Sequence, residues 1–400
     1  MNEPTHPAGT GPDGAPGGGA GGGTGGGDAA GGGAASGGAG GTGRSATPKR
    51  QGTVSRFGVA AWALVAVVLV QALLAAGPAP WSGAPAKPPL SGARPGDRPP
   101  GQEDGAAGNG PAGGLDPALA RRFAREPQIT VFDHAAGGPR AMPMEEYVAH
   151  VVAGEAVPTW DPDALRAQAV AARTYTVSLL LAGERSTPRQ LYGTDTSTDP
   201  AEAQAYNPVV PPAVTAAVQA TRGEIVVYDG KPIVALFSAC AGPRTAGLRE
   251  SFPGDDRRAP YLRPVPSPCE RAAPAFIRRW AVALTAGELA GVAGVAPSLV
   301  QEVAIARRGP SGRAVLIRIG PRLVHAAELR RQVGPNRLKS TWLTEIEPLE
   351  GGVWIFRGRG WGHGVGLDQW GAQAMARQGR SYREILAHYY PGTALVQLYP

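Results

Sequence analysis

The sequence predicts an α+β fold. Three observations carry this: two stretches with a helical apolar period, an alternating stretch built around an Asp-Gly turn, and no regular strand-helix-strand rhythm of the kind a doubly wound sheet needs. Residues 144–155 (MEEYVAHVVAGE) set Tyr147, Val148, Val151 and Val152 on one stripe, which predicts a helix. A second helix opens at Asp161 as N-cap with Pro162 in its first turn, and ends at Gly183. Its alanines at 164, 167, 169, 171 and 172 let neighbouring backbone come close. EIVVY at 224–228, Asp229-Gly230 and PIVALF at 232–237 form the chain's strongest hairpin signal. Further strands are expected at 302–306, 314–319, 353–356 and 394–398. Thr285 with Glu288, and Ser381 with Glu384, are capping boxes that each open a helix.

Composition divides the 400 residues sharply. Residues 1–56 contain no Leu, Ile, Phe, Trp or Tyr and are dominated by glycine, so they have almost nothing to bury and are expected to be a disordered arm. Residues 57–76 (FGVAAWALVAVVLVQALLAA) carry no charge, and as a helix at ~1.5 Å per residue they span ~30 Å of hydrocarbon. Arg44, Lys49, Arg50 and Arg56 precede this run, which predicts a single-pass signal anchor with a cytoplasmic arm and an exported C-terminal part. The rival reading is secretion after signal cleavage, but no strong small-residue cleavage site ends the run. Residues 77–114 return to Pro, Gly and Ala and read as a tether. Residues 115–400 have a globular composition, enough for one large domain or two lobes.

The stretch RGRGWGHGVGLDQWGAQAMA at 357–376 stands out within that part. Gly358, Gly360, Gly362, Gly364, Gly366 and Gly371 alternate with Trp361, His363, Val365 and Trp370, a pattern suited to close approach of backbone to a ligand. His363 is its one side chain that titrates near neutral pH. Asp368 reads as the N-cap of a helix over 369–378 stopped by Gly379, and backbone N–H groups at a cap hold such a carboxylate ionised. A proton donor must therefore come from elsewhere, and Glu155 is the candidate. It follows Val148, Val151 and Val152 by seven, four and three residues, so a continuing helix sets it at the end of the apolar stripe. There desolvation raises a carboxyl pKa. The alternative is a solvated glutamate at a helix end beside Gly154. Glu145 and Glu146, in the first turn, read as ordinary carboxylates favoured by the helix dipole.

Cys240 and Cys269 are the chain's two cysteines, both on the exported side, so a disulfide is the default. Closing a loop of about thirty residues stabilises a fold by about 3.5 kcal/mol on the chain-entropy model. A zinc site would need further ligands such as His363 or His388, and the spacing matches no metal signature, so no metal or cofactor is expected. The formal charge of +7 is spread over scattered arginine pairs without a nucleic-acid-binding motif. These pairs read mostly as solvated faces, nucleic acid is not the expected partner, and export makes a cell-envelope polymer the better one.

Four ordered blocks resemble the stage II sporulation protein D family, which includes the amidase-enhancer LytB proteins: MEEYVAHVVAGE, DPDALRAQAVAARTY, AAELRRQVGPNRLKSTW, and GRGWGHGVGLDQWGAQAMARQG with YREILAHYYPGT. The resemblance implies a peptidoglycan-acting domain and, in the members with enzymatic activity, lytic transglycosylases whose catalytic glutamate corresponds to Glu155. It implies that Arg173, Tyr175, Ser238, His363 and Gln369 are groove residues for glycan, with Arg173 open to a buried ion pair instead. The implied alternative is a non-catalytic wall-binding protein that enhances an N-acetylmuramoyl-L-alanine amidase, making a cell-wall amidase a partner. One departure bears on this: FSACAGPRTAG carries Pro243 where the family often has a second glycine, which puts backbone contacts from this loop to sugar in doubt.

Overall fold

The computed structural model describes residues 114–255 and 258–400. The arm 1–56, the membrane segment 57–76 and all but the last residue of the tether 77–114 lie outside the described residues. Among those described, no helix is long and apolar enough to cross a membrane.

Helices and short sheets are mixed, as an α+β fold requires. They enclose two apolar cores. The larger is built on the helix Pro162–Ala182, capped by Asp161, whose side chain accepts the Asp163 N–H at 3.0 Å. Ala164, Ala167, Ala169, Ala171 and Ala172 are all buried, and helices Met144–Glu155, Pro212–Ala220, Gln369–Ala376 and Tyr382–Tyr389 and strand Glu224–Tyr228 pack around them. Small side chains on nearly every face explain how one helix serves so many neighbours. Two three-stranded sheets accompany this core. In one, Gln128–Asp133 pairs antiparallel with Gly138–Pro143 and parallel with Thr196–Ser197. In the other, Glu224–Tyr228 lies between Ala394–Gln397 and Lys231–Pro232.

The second core gathers Leu284, Leu289, Ile317, Ile319, Leu329 and Phe356. Its sheets are the meander Val303–Arg308, Ala314–Ile319, Arg322–His325, and the set Leu343–Leu349, Val353–Gly358, Trp280–Thr285. Helices Ala286–Ala293 and Ala326–Val333 cover them, the first opened by the Thr285–Glu288 capping box. A small apolar cluster of Cys240, Cys269, Ala273 and Ile277 accompanies the Cys240–Cys269 disulfide, which bridges Cα atoms 5.7 Å apart.

The hairpin turn forms, with Asp229 at φ 51° and Gly230 at φ 71° as a tight two-residue connection needs. Its second strand is shorter than expected, ending at Pro232. Phe237–Ser238 leaves that sheet and pairs in parallel with Leu367–Asp368 instead. The helix after Asp368 covers Gln369–Ala376, two residues short of the expected end, although Gly379 has the positive φ of a stop. That Phe237–Leu367 pairing brings the glycine-rich segment to the larger core.

Candidate active site

Glu155 is the last residue of helix Met144–Glu155, whose stripe Tyr147, Val148, Val151 and Val152 is fully buried. The carboxylate sits partly buried at the end of that stripe. Its Oε1 accepts the Ala205 N–H at 2.8 Å, and its Oε2 accepts from Gln369 Nε2 at 3.2 Å. Desolvation raises its pKa, and these two hydrogen bonds oppose the rise without cancelling it. Its place at a helix C-terminus, where the backbone dipole is negative, works in the same direction as burial.

Gly154 explains how the Ala205 N–H reaches the carboxylate. A Cβ at 154 would stand 2.9 Å from both Ala205 C and Tyr206 N, so the 205–206 backbone can rest on the helix end only because residue 154 is glycine. Ala205 therefore belongs to the site through its backbone. The sequence signal for it is the glycine beside Glu155, although nothing local says which segment that glycine admits. The Tyr147 hydroxyl bonds to Thr196 Oγ1 at 2.7 Å, and burial raises its pKa, with a smaller contribution from Glu155. Trp160 meets Trp370 edge-on with centroids 4.8 Å apart, next to Gln369.

The expected groove residues divide. Gln369 touches Glu155. Tyr175 lines a cavity of about 610 Å³ and faces Phe237 edge-on at 6.5 Å. Ser238 is buried and its hydroxyl accepts the Gly364 N–H at 3.0 Å, so it holds the glycine-rich loop. The His363 ring packs against Phe252 at 5.2 Å, and its Nδ1 accepts the Val365 N–H at 3.1 Å. Burial, helped by Arg330 and Arg313, pushes His363 down to about 3, so it stays neutral at physiological pH instead of titrating there as its residue type suggests.

Arg173 takes the buried ion pair that was the alternative to a groove role. It is completely buried, with Nε 2.8 Å and Nη2 2.6 Å from the Glu145 carboxylate and Nη1 3.1 Å from Glu224 O. Glu145 is correspondingly no ordinary first-turn carboxylate. It also accepts the Gly223 N–H and the Tyr399 hydroxyl, and these partners with Arg173 outweigh its burial and hold its pKa low.

Asp368 caps its helix by accepting the Gly371 N–H at 2.9 Å, and it also accepts from Ala241 N and Ser267 Oγ. Burial overrides these donors and raises its pKa to about 7, so it is not held ionised as the cap alone predicts. The loop around Pro243 is spent on structure: Cys240 exchanges both backbone hydrogen bonds with Trp361, and Pro243 O accepts the Ser267 N–H. Ligand atoms of Cys240, Cys269 and Asp368 converge, but the disulfide occupies both sulfurs. Those of His134, Asp199 and Glu202 also converge, and there His134 Nε2 and Glu202 Oε2 already pair at 3.1 Å.

A family model described as "Stage II sporulation protein" matches residues 135–228, which hold Glu155, Arg173 and Tyr175. A second, described as a domain of unknown function (DUF8618), matches residues 279–366, which hold the second core's residues from Trp280 to Phe356. The chain is 30% identical over 292 residues to the stage II sporulation protein D of Bacillus amyloliquefaciens, a match covering 70% of this chain and 80% of that protein. It is 35% identical over 258 residues to an uncharacterized protein of Brachyspira hyodysenteriae, covering 63% of this chain and 66% of that one. It is 26% identical over 296 residues to the amidase enhancer of Bacillus subtilis, covering 61% of this chain and 39% of that protein.

Proposed function

Because the chain belongs to the stage II sporulation protein D family, we propose that it is a peptidoglycan lytic transglycosylase with Glu155 as its catalytic acid and base. The observation that carries this reading is the environment of Glu155: a partly buried carboxyl with a raised pKa, held by one backbone N–H and one carboxamide. Among the described residues the groups bonded to it include no second carboxylate. An ordinary glycosidase needs two carboxylates, one as acid and one as nucleophile or base. A lytic transglycosylase needs one, because the muramic acid supplies its own nucleophile.

In the proposed reaction the protonated Glu155 gives its proton to the oxygen joining N-acetylmuramic acid to N-acetylglucosamine, and the C1–O bond breaks. The C6 hydroxyl of the same muramic acid then bonds to C1 and returns its proton to Glu155, so the carboxyl ends as it began. The products are a free N-acetylglucosamine 4-hydroxyl and a 1,6-anhydro-muramic end. The Ala205 N–H and Gln369 Nε2 stabilise the transient carboxylate and fix its direction. Neutral His363 and Tyr175 are the further groove residues that this reading assigns to the glycan.

The same reading places the domain outside the cell, anchored by residues 57–76 and acting on the wall during its remodelling, with sporulation as one setting. Support comes from the uncharged run behind Arg44, Lys49, Arg50 and Arg56. Protease added to intact cells should then digest the domain and spare the arm. A second reading, a non-catalytic enhancer of a cell-wall amidase, is favoured by the similarity to the amidase enhancer and by Pro243 in the disulfide loop. Mass spectrometry of intact and peptide-stripped glycan incubated with the protein separates the two. Anhydro-muramic products support the enzyme, whereas binding without cleavage supports the enhancer.

A further inference from the structure

Gly114, the first described residue, leads the chain onto the Asp229-Gly230 turn of the hairpin. The Asp116 N–H donates to Gly230 O at 2.9 Å, and a Cβ at Gly230 would stand 3.2 Å from Gly114 O, so the incoming backbone lies directly on that turn. Leu115 packs against the larger core. A cleft of about 450 Å³ opens beside the same turn. Tyr228 and Tyr261 line it with ring centroids 5.6 Å apart, and Pro232 and Ile233 add apolar surface. The Tyr261 hydroxyl accepts the Val234 N–H at 3.2 Å, which fixes its ring. Exposed Lys231 and Arg258 line the cleft against one carboxylate, Asp229, so it carries net positive charge. The reaction proposed above uses none of these groups.

A short proline-rich segment with acidic charge suits such a cleft. Consecutive prolines hold an extended left-handed helix that has little conformational entropy left to lose, and their rings pack on aromatic faces. The chain carries one such segment just before its entry point. The carboxylates of residues 77–113 are Asp97, Glu103 and Asp104, and all of them lie in DRPPGQED at 97–104, around the pair Pro99-Pro100. Residues 105–113 separate this segment from Gly114. A glycine-rich coil of that length has an r.m.s. reach of about 15–18 Å, and a link that short sets a local concentration in the millimolar range.

We propose that residues 97–104 dock in this cleft, with Pro99 and Pro100 on Tyr228 and Tyr261, and with Glu103 and Asp104 facing Lys231 and Arg258. The contact sets how far the domain reaches. Under the anchored reading above, residues 77–113 fully extended span ~120 Å at ~3.3 Å per residue, whereas docking leaves residues 77–96, which span ~65 Å. Docking therefore roughly halves the distance from the membrane at which the domain can act, and its release restores the full span. Part of the contact is between exposed charges, so salt weakens it.

The test is carbodiimide cross-linking of the full-length protein in detergent, read by peptide mass spectrometry. The reagent joins a carboxylate to an amine with loss of water and adds no spacer, so it reports groups in contact. Among the described residues lysine occurs at 231 and 339 alone. Lys231 should join Glu103 or Asp104 of the same chain, and Lys339 should join neither. Pro99→Gly combined with Pro100→Gly should slow formation of the Lys231 link at least about fivefold, because the glycines restore the chain freedom that docking must remove. Arg258→Glu reverses an exposed charge that the fold does not need, and it should slow the link severalfold. Chance collision predicts otherwise, since the glycine variant reaches Lys231 as easily as the wild type. No link to Lys231, equal linking to Lys339, or an unchanged rate in either variant overturns the docking. A Lys231 link formed only between chains gives the cleft to a second copy and overturns it as well. The link is read in purified protein without glycan, so its loss leaves the transglycosylase reading standing, and failure to cleave glycan leaves the docking standing.

Discussion

Gln369 reaches Glu155 across 214 residues of chain, its Nε2 lying 3.2 Å from the carboxylate Oε2. The donor stabilises the ionised form and so opposes the rise that burial imposes on Glu155. Removing it with Gln369→Leu raises the Glu155 pKa further. A general acid works while protonated, so the falling limb of kcat/KM against pH should move to higher pH in the variant, with up to about tenfold loss at the optimum from lost orientation. A limb that stays in place would remove Gln369 from the machinery.

The buried pair Arg173–Glu145 carries a stability prediction. With Arg173 fully buried, Glu145→Gln strands a cation and should destabilise the protein by about 3–5 kcal/mol, measured by denaturant unfolding. Glu145→Leu combined with Arg173→Met should cost much less than the sum of the single changes, because neither partner is left alone. The sign with pH follows from the lowered Glu145 pKa. Its contribution is complete above the ordinary value of 4.5 and is lost as pH falls through the lower folded value. Additive single variants would show that the pair is not coupled.

How much of this was legible in the sequence depends on the range of the interaction. The stripe ending at Glu155, the Asp161 cap and the two capping boxes are local patterns, and they appear where the residues put them. The Ala205 N–H, 50 residues from Glu155, has no side chain to announce it. PIVALF has the composition of a strand, but its end is taken by a parallel partner at Leu367–Asp368 that no hairpin pattern describes. Asp368 shows the same limit for electrostatics. Its cap role was readable from position, whereas its pKa depends on burial by segments far along the chain.

Asp368 predicts the opposite pH dependence from Glu145. Its folded pKa of about 7 lies above the ordinary 3.8, so the stability it lends is full below 3.8 and is lost as pH rises through about 7. Asp368→Asn can still cap the helix but gives up the oxygen that accepts from Ala241 N and Ser267 Oγ, so it should lower stability at acid pH and, lacking a titrating group, flatten the slope of stability between those limits. The difference between wild type and variant is on the order of a few kcal/mol across that window, since each pKa unit is worth about 1.4 kcal/mol. Parallel curves for the two proteins would mean that Asp368 is ionised throughout.

Glu155→Gln tests the proposed chemistry directly. Glutamine keeps the shape of the side chain and can still accept the Ala205 N–H through its carbonyl, so the fold and glycan binding should survive. It cannot deliver a proton to the departing sugar oxygen or take one from the C6 hydroxyl. Positioned acid-base catalysis is typically worth about 10²–10⁴-fold, and because this one carboxyl performs both transfers, turnover should fall by at least that order. The identity of the products gives a sharper reading than the rate. A 1,6-anhydro end has no free reducing carbon and resists borohydride, whereas a hydrolytic end is reduced. Reducible ends from the wild type would make water the nucleophile and require a second general base near Glu155. Full activity in Glu155→Gln would move the catalytic acid elsewhere, and binding without cleavage by the wild type would transfer the case to the amidase enhancer.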